Sequence, residues 1–245
     1  MHPILFKFGF FQIYGYGLMV ALAFWVSVSL LARRGYVLGL ERDFFWNLSF
    51  WALTGGILGG RLMYILLNLD FFLKDPLEIF KLWHGGLVWY GGFIAGLLSA
   101  ILYLKRNKAP ILKTLDLAAP FIGLAHAIGR IGCFLNGCCY GRPVSWGIYF
   151  PEHNERLIPV QLISSIDLLV IFIILRFLEE RPHRPGSIVV YYLLFSSLER
   201  FLAEFLRNDS TRNFFGLTIF QLISMLVFIS AVILWFIILR FPRKT

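Results

Sequence analysis

Charge is scarce in this 245-residue chain: only 15% of its residues are Asp, Glu, Lys or Arg, against 58% hydrophobic side chains and a mean hydropathy of +0.74. Soluble domains carry about 25% charged residues, so the composition excludes an ordinary water-soluble globule. Cysteine is nearly absent too. Its three copies, Cys133, Cys138 and Cys139, all fall within seven residues, which excludes a disulfide-stapled secreted scaffold. A cleavable leader is a third absence: the first apolar run is too long for a signal core, has only Lys7 ahead of it, and meets no small-residue cleavage site before Arg33. The N-terminus is therefore expected to stay on. The net charge of +9 would suggest nucleic acid in a soluble protein. Here the cations sit in short clusters between apolar runs, so no nucleic-acid partner is expected.

Long apolar runs are what the chain does have. Seven stretches approach the roughly 20 residues that cross a bilayer as a helix: 12–32, 46–69, 86–104, 114–132, 159–178, 187–206 and 217–239. They are continuous rather than alternating, so helices and not barrel strands are expected. The fold class is all-α, a polytopic membrane protein of seven transmembrane helices forming a single membrane domain over 1–245. The longest connector runs from about 133 to 158, and its part from 143 to 158, with Glu152, His153 and Glu155, is either a substrate-contacting arm or, by default, plain connector. Cations set the orientation. Arg33, Arg34, Arg42, Lys105, Arg106, Lys108, Lys113, Arg176, Arg181, Arg184, Arg240, Arg243 and Lys244 fall on one side. Lys7, Lys74, Lys81, Arg142, Arg156, Arg207 and Arg212 fall on the other. The richer side is cytoplasmic, which puts the N-terminus outside and the C-terminus in the cytoplasm.

Three arginines remain, one each in the second, fourth and sixth spans: Arg61, Arg130 and Arg200. A cation at bilayer depth costs about 2.5–3.5 kcal/mol on insertion scales and usually turns toward a partner or a wet cavity. Glu204 and Arg207 follow Arg200 by four and seven residues, so the three share a helix face. Arg200 could simply pair with Glu204 or Glu199, and Arg130 could reach the outer surface on its own. Taken together they read as an anion site opening outward, because guanidinium forks match phosphate oxygens in pairs. The abundant anion in a bilayer is a phospholipid headgroup.

Two segments surround these arginines with glycine. Trp83-His84-Gly85-Gly86-Leu87-Val88-Trp89-Tyr90-Gly91-Gly92 offers close backbone approach or amides for an anion. Its His84 and Tyr90 are candidate proton carriers. Its glycines, like Gly55, Gly56, Gly59 and Gly60, equally suit tight helix packing, and Tyr90 equally suits an interfacial aromatic belt. The second segment, Gly129 to Pro143, ends the fourth span in an irregular turn around Arg130 and Asn136. Its cysteines follow C-x4-C-C spacing, not C-x-x-C. A tetrahedral zinc site would need His126 or His153 as a fourth ligand, so small packing residues are the default and no metal is expected.

The second segment resembles the signature of bacterial prolipoprotein diacylglyceryl transferases: Gly129-Arg130-x-Gly132-x-Phe134-x-Asn136-Gly137, then Gly141-Arg142. The resemblance extends to Tyr16-Gly17-Leu18-Met19, Gly60-Arg61, Pro159-x-Gln161-Leu162 and Arg200-Phe201-x-x-Glu204-Phe205-x-Arg207. Four positions depart from the best-known pattern. Tyr90 stands where that pattern has the His of an H-G-G motif, Cys133 replaces Asn, Cys138 replaces Glu, and Ser196 occupies a Tyr position.

The resemblance implies transfer of a diacylglyceryl group from phosphatidylglycerol to the lipobox cysteine thiol of a preprolipoprotein, with release of glycerol phosphate and no cofactor. It implies a place in the bacterial cytoplasmic membrane with the active site toward the outer face, and the signal-peptide region as a partner beside membrane lipid. Arg130 and Arg200 would hold phosphate, and Tyr90 or His84 would move the proton. Position favours Tyr90; an imidazole pKa near 6.5 favours His84 over a phenol near 10. Tyr16, Arg61, Gly91, Gly92, Asn136, Gly141, Glu204 and Arg207 would line the substrate pocket. Two rivals stand beside it. One is a membrane thiol oxidoreductase built on the cysteine cluster, and the other is a non-catalytic lipid-binding or transport relative.

Overall fold

A computed structural model describes residues 4–8, 11–81, 85–210, 212–214 and 216–240. Helices dominate: α1 (Gly15–Val37), α2 (Arg42–Leu67), the short α3 (Leu69–Lys74), α4 (Trp89–Arg106), α5 (Ile111–Asn136), α6 (Val160–Glu179), α7 (Ser187–Leu206) and α8 (Ile219–Leu239). The seven long ones fall where the apolar runs predict helices. Five segments, Gly15–Val37, Asp43–Leu67, Ile111–Asn136, Val160–Glu179 and Ile219–Leu239, are long and apolar enough to cross a membrane. The other two, α4 and α7, have no 18-residue stretch as apolar: Lys105 and Arg106 end the 18-residue α4, and Glu199, Arg200 and Glu204 fall within α7.

The connectors of this mostly helical chain also carry short strands. Antiparallel hairpins pair β1 (Ile4–Phe8) with β2 (Phe11–Tyr14), β3 (Pro143–Phe150) with β4 (Glu155–Leu157), and β5 (Arg212–Phe214) with β6 (Leu217–Thr218). The stretch 133–158 is thus the end of α5, a turn and the β3–β4 hairpin. A 3-10 turn at Pro76–Phe80 follows α3.

Burial is inverted relative to a soluble protein. Leu58, Leu62, Leu226 and Phe236 point outward, whereas Gln161, Ser164, Glu204 and Gln221 are enclosed. Apolar side chains can face outward here because lipid, not water, is the surrounding solvent. Local chemistry sets the helix ends. At the start of α8 the Thr218 hydroxyl accepts the Gln221 N–H at 3.2 Å while the Gln221 amide oxygen accepts the Thr218 N–H at 2.9 Å. That reciprocal box satisfies two donors no intrahelical carbonyl can reach.

The chain divides into two compact units, Ala32–Ile111 and the remainder, Met1–Leu31 with Leu112–Thr245. In the smaller unit α2 and α4 meet through glycine. A Cβ at Gly91 would lie 2.5 Å from the Gly59 carbonyl oxygen, and one at Gly92 3.1 Å from that of Gly56. In the larger unit, Ala119 and Ala127 of α5 belong to one core with Leu168, Ile171 and Leu175 of α6 and Ile188 of α7. Val190 of α7 packs with Ala231 and Ile238 of α8.

Candidate active site

The larger unit is organised by a carboxylate inside α5. Asp116, 2% exposed, accepts the backbone N–H of Gly186 at 2.5 Å and of Val189 at 3.0 Å. These are donors at the N-terminus of α7 that have no intrahelical partner, and an anion there also meets the positive end of the helix dipole. Arg130 lies fourteen residues beyond Asp116, and Arg200 fourteen beyond Gly186. At 1.5 Å per residue each guanidinium-bearing position is about 21 Å along its helix from the shared contact. The two side chains come within electrostatic reach of each other, and both bear on the imidazole of His126 and the carboxyl of Glu199. The buried Nε of Arg130 finds no hydrogen-bond acceptor among the described residues.

Arg200 does pair with Glu204, at 2.8 Å. The fully enclosed Glu204 carboxylate lies between two cations, since Arg207 approaches the same oxygen at 3.6 Å. The i, i+4 and i+7 spacing predicted this shared face. Two further partners carry no signal in the residue spacing. Arg207 forms a two-pronged pair with Asp209 at 2.8 and 2.9 Å, and both guanidinium groups lie over the Phe220 ring, at 4.8 Å for Arg200 and 5.9 Å for Arg207. Burial works against the Arg207 charge, but Asp209, Cys139 and Glu204 together outweigh it and hold the guanidinium pKa above its ordinary value. Glu204 and Asp209 thus fix Arg200 and Arg207, while the buried Glu199 carboxyl lies within electrostatic reach of Arg130.

The turn after α5 is held by backbone. Asn136 ends the helix, Gly137 takes φ 76°, and Cys139 takes φ 65°, a left-handed conformation uncommon outside glycine. The Gln161 side-chain amide donates to the Cys138 carbonyl at 2.6 Å. Gly141 N–H donates to Ile158 O at 2.9 Å, and Arg142 N–H to Leu206 O at 3.1 Å. A Cβ at Gly141 would meet Ile158, Val160 and the Leu206 carbonyl at 2.7–2.9 Å. The glycine therefore permits the loop to lie between the end of α7 and the start of α6. Tyr16, in the first turn of α1, packs at Gly132, where a Cβ would stand 3.3 Å from its ring. It lies within electrostatic reach of Arg130 and all three cysteines. Gln161 and Asp116 are positioning residues that the motif reading did not single out as such; Asp116 in particular lies outside every quoted motif.

The smaller unit treats its arginine differently. The buried Arg61 guanidinium donates to the Ile79 carbonyl at 3.1 Å, to Gly85 at 2.6 Å, to Gly86 at 3.3 Å, to Lys81 at 3.4 Å, and to Glu78. It also faces the rings of Tyr64 and Phe72. Gly85 and Gly86 both adopt φ 81°, and a Cβ at Gly86 would meet the Tyr64 ring at 2.5 Å and Arg61 Nη1 at 2.8 Å. These glycines turn their carbonyls onto the cation, a geometry side chains rarely permit. Nearby, the Glu78 carboxylate hydrogen-bonds the Lys81 ammonium at 2.5 Å and raises its pKa. Tyr90 is exposed at the start of α4. Of the two uses open to Gly91 and Gly92, the structure displays helix packing. His84 lies outside the described residues.

A family profile of prolipoprotein diacylglyceryl transferases matches residues 3–237. The chain is 37% identical, over the full length of both proteins, to a phosphatidylglycerol–prolipoprotein diacylglyceryl transferase of Clostridium tetani. It is 37% identical to the Aeromonas hydrophila protein of that name, over 95% of this chain and 89% of that one. A Clostridium perfringens relative, numbered 2 under the same name, is 34% identical over 91% of this chain and 90% of its own.

Proposed function

Because the chain belongs to the prolipoprotein diacylglyceryl transferase family, we propose that it moves the diacylglyceryl group of phosphatidylglycerol onto the cysteine thiol of a preprolipoprotein. The thiol sulfur attacks the glyceryl carbon bonded to the phosphate oxygen. A C–S bond forms, the C–O bond breaks, and its electron pair leaves on glycerol phosphate. The leaving group gains negative charge as the bond breaks, so fixed cations that meet it stabilise the transition state more than the bound lipid. The observation that supports this reading is that Arg130 and Arg200 lie within electrostatic reach of each other, with Glu204 and Asp209 balancing Arg200 and Arg207 and the buried Arg130 Nε without an acceptor among the described residues.

The remaining roles follow the same logic. Arg61 is a positioning residue: its donors are engaged by 78–81 and 85–86, and it acts by holding the glycine turn. Gly91 and Gly92 act through the α2–α4 contact. Tyr16 and Asn136 border the phosphate, and Gly141 seats the loop beside it. A cavity of about 230 Å³ lined by Ser197, Phe201, Ser224, Met225 and Phe228 runs one turn beyond the Arg200–Phe220 contact and suits an acyl chain. The thiol proton goes to Tyr90 or His84. We take α4 and α7 as the third and sixth of seven spans, with the N-terminus outside, the C-terminus cytoplasmic, and the arginines toward the outer leaflet of the bacterial inner membrane. The acceptor enters as its signal-peptide helix.

Purified chain in detergent, given phosphatidylglycerol and a lipobox peptide, is expected to release glycerol phosphate and thioether-linked peptide in equal amounts. A peptide with Ser in place of Cys is expected to release neither. Release of glycerol phosphate regardless of peptide would make the chain a lipase and overturn the reading. His84→Ala and Tyr90→Phe assayed in parallel identify the proton carrier as the variant that loses transfer.

A further inference from the structure

The three cysteines remain unused by this chemistry, yet the fold gathers them. Their sulfur atoms all lie within 4.8 Å of one another, and each side chain is only partly buried. α5 supplies Cys133 from its last turn, and the reversal at Gly137 and Cys139 brings the next two thiols back beside it. Contacts that do not involve sulfur hold this reversal: Cys138 N–H to Cys133 O at 3.2 Å, Gln161 to Cys138 O at 2.6 Å, and Asn208 N–H to Tyr140 O at 3.2 Å. The sulfurs are therefore placed in advance of any ligand. Small side chains chosen for packing alone would not need three thiols turned on one point.

The geometry also selects among ions. Among the described residues no His, Asp or Glu completes the group. His153 is stacked on Tyr140 at 4.0 Å between ring centres, and His126 lies in the field of Arg130 and Arg200. Structural zinc takes four ligands in a tetrahedron. Thiolates without nitrogen or oxygen select soft ions such as Cu(I). In a planar three-sulfur site with metal–sulfur bonds of about 2.3 Å, the sulfurs stand about 4.0 Å apart. The Cys138 and Cys139 sulfurs already stand 3.8 Å apart. We propose that Cys133, Cys138 and Cys139 form a three-thiolate site for one soft, three-coordinate metal ion of the Cu(I) class.

Binding exchanges three S–H bonds for three S–metal bonds and releases three protons to solvent. Copper enters and stays as Cu(I), so no electron is transferred. The resulting anionic centre lies within electrostatic reach of Arg207, which senses Cys139, and this cation offsets part of its charge. The site shares its turn with Asn136, so occupancy would fix the loop between α5 and β3.

The test is an oxygen-free titration of the full chain in detergent with Cu(I), against a chromogenic Cu(I) chelator. One equivalent is expected to transfer to the protein with a sulfur-to-copper ultraviolet band, and to shield all three thiols of the wild-type protein from maleimide. Ser at any of the three positions is expected to weaken binding by more than the roughly 100-fold that loss of a supporting outer residue can cost, whereas His153→Ala retains it. Thiols that stay fully reactive with one equivalent of Cu(I) present would overturn the proposal, and that measurement needs no variant. Cys→Ser chains that bind Cu(I) as the wild type does would overturn it equally.

Discussion

Asp116 and Gly186, seventy residues apart in sequence, are joined by a 2.5 Å hydrogen bond that gives α5 and α7 a common starting level. That bond ranks Arg130 with Arg200. Replacing Asp116 with Ala removes a helix cap, a change that costs about 0.5–2 kcal/mol. The expected result is a lowered unfolding temperature in detergent together with reduced transfer. Asp116→Asn, which keeps one side-chain acceptor, is expected to lose less of both.

Glu204 is enclosed between Arg200 and Arg207. Removing one partner of a buried ion pair costs about 3–5 kcal/mol, because the other charge is left uncompensated. Glu204→Ala should therefore show the largest loss of thermal stability among single substitutions in α7, measured by the unfolding midpoint in detergent.

Gly129 and Gly141 both belong to the glycine-rich segment but serve it differently. A Cβ at Gly141 collides with backbone and side chains, whereas one at Gly129 meets nothing within 4 Å. Gly141→Ala is expected to destabilise by about 1–3 kcal/mol, the usual cost of overpacking. Gly129→Ala, in a helix interior, is expected to stabilise by about 0.5–1 kcal/mol. If the open space beside Gly129 receives the lipid, the same substitution lowers transfer while the unfolding temperature rises.

Arg61 holds residues 78–81 and 85–86 through carbonyl oxygens. Arg61→Gln is expected to accelerate amide hydrogen exchange across those residues far more than in α7. Unchanged exchange there would show that the turn holds itself.

The sequence was most informative where a pattern is periodic. Seven apolar runs located the long helices, and the four- and seven-residue spacing from Arg200 anticipated one face with Glu204 and Arg207. Glycine was ambiguous because close packing and anion binding both exploit a missing Cβ. In the fold, Gly91 and Gly92 serve the α2–α4 contact and Gly85 and Gly86 take positive φ. The three hairpins escaped notice because strands of two to eight residues offer too little alternation within loops. Asp116 is silent in the sequence for another reason: a lone carboxylate in an apolar run carries no local sign of a helix end seventy residues downstream. Arg61 looked like its fellow arginines until its carbonyl partners, seventeen to twenty-five residues away, were visible.

The most direct test is the rate of diacylglyceryl transfer by Arg130→Ala and Arg200→Ala, each measured with the unfolding midpoint of the same sample. Loss of one charge-stabilising donor costs about 100- to 1,000-fold in rate, so each variant is expected to fall at least that far, with the Arg130 variant still folded. Wild-type rates in both folded variants would contradict a phosphate clamp built from these two side chains.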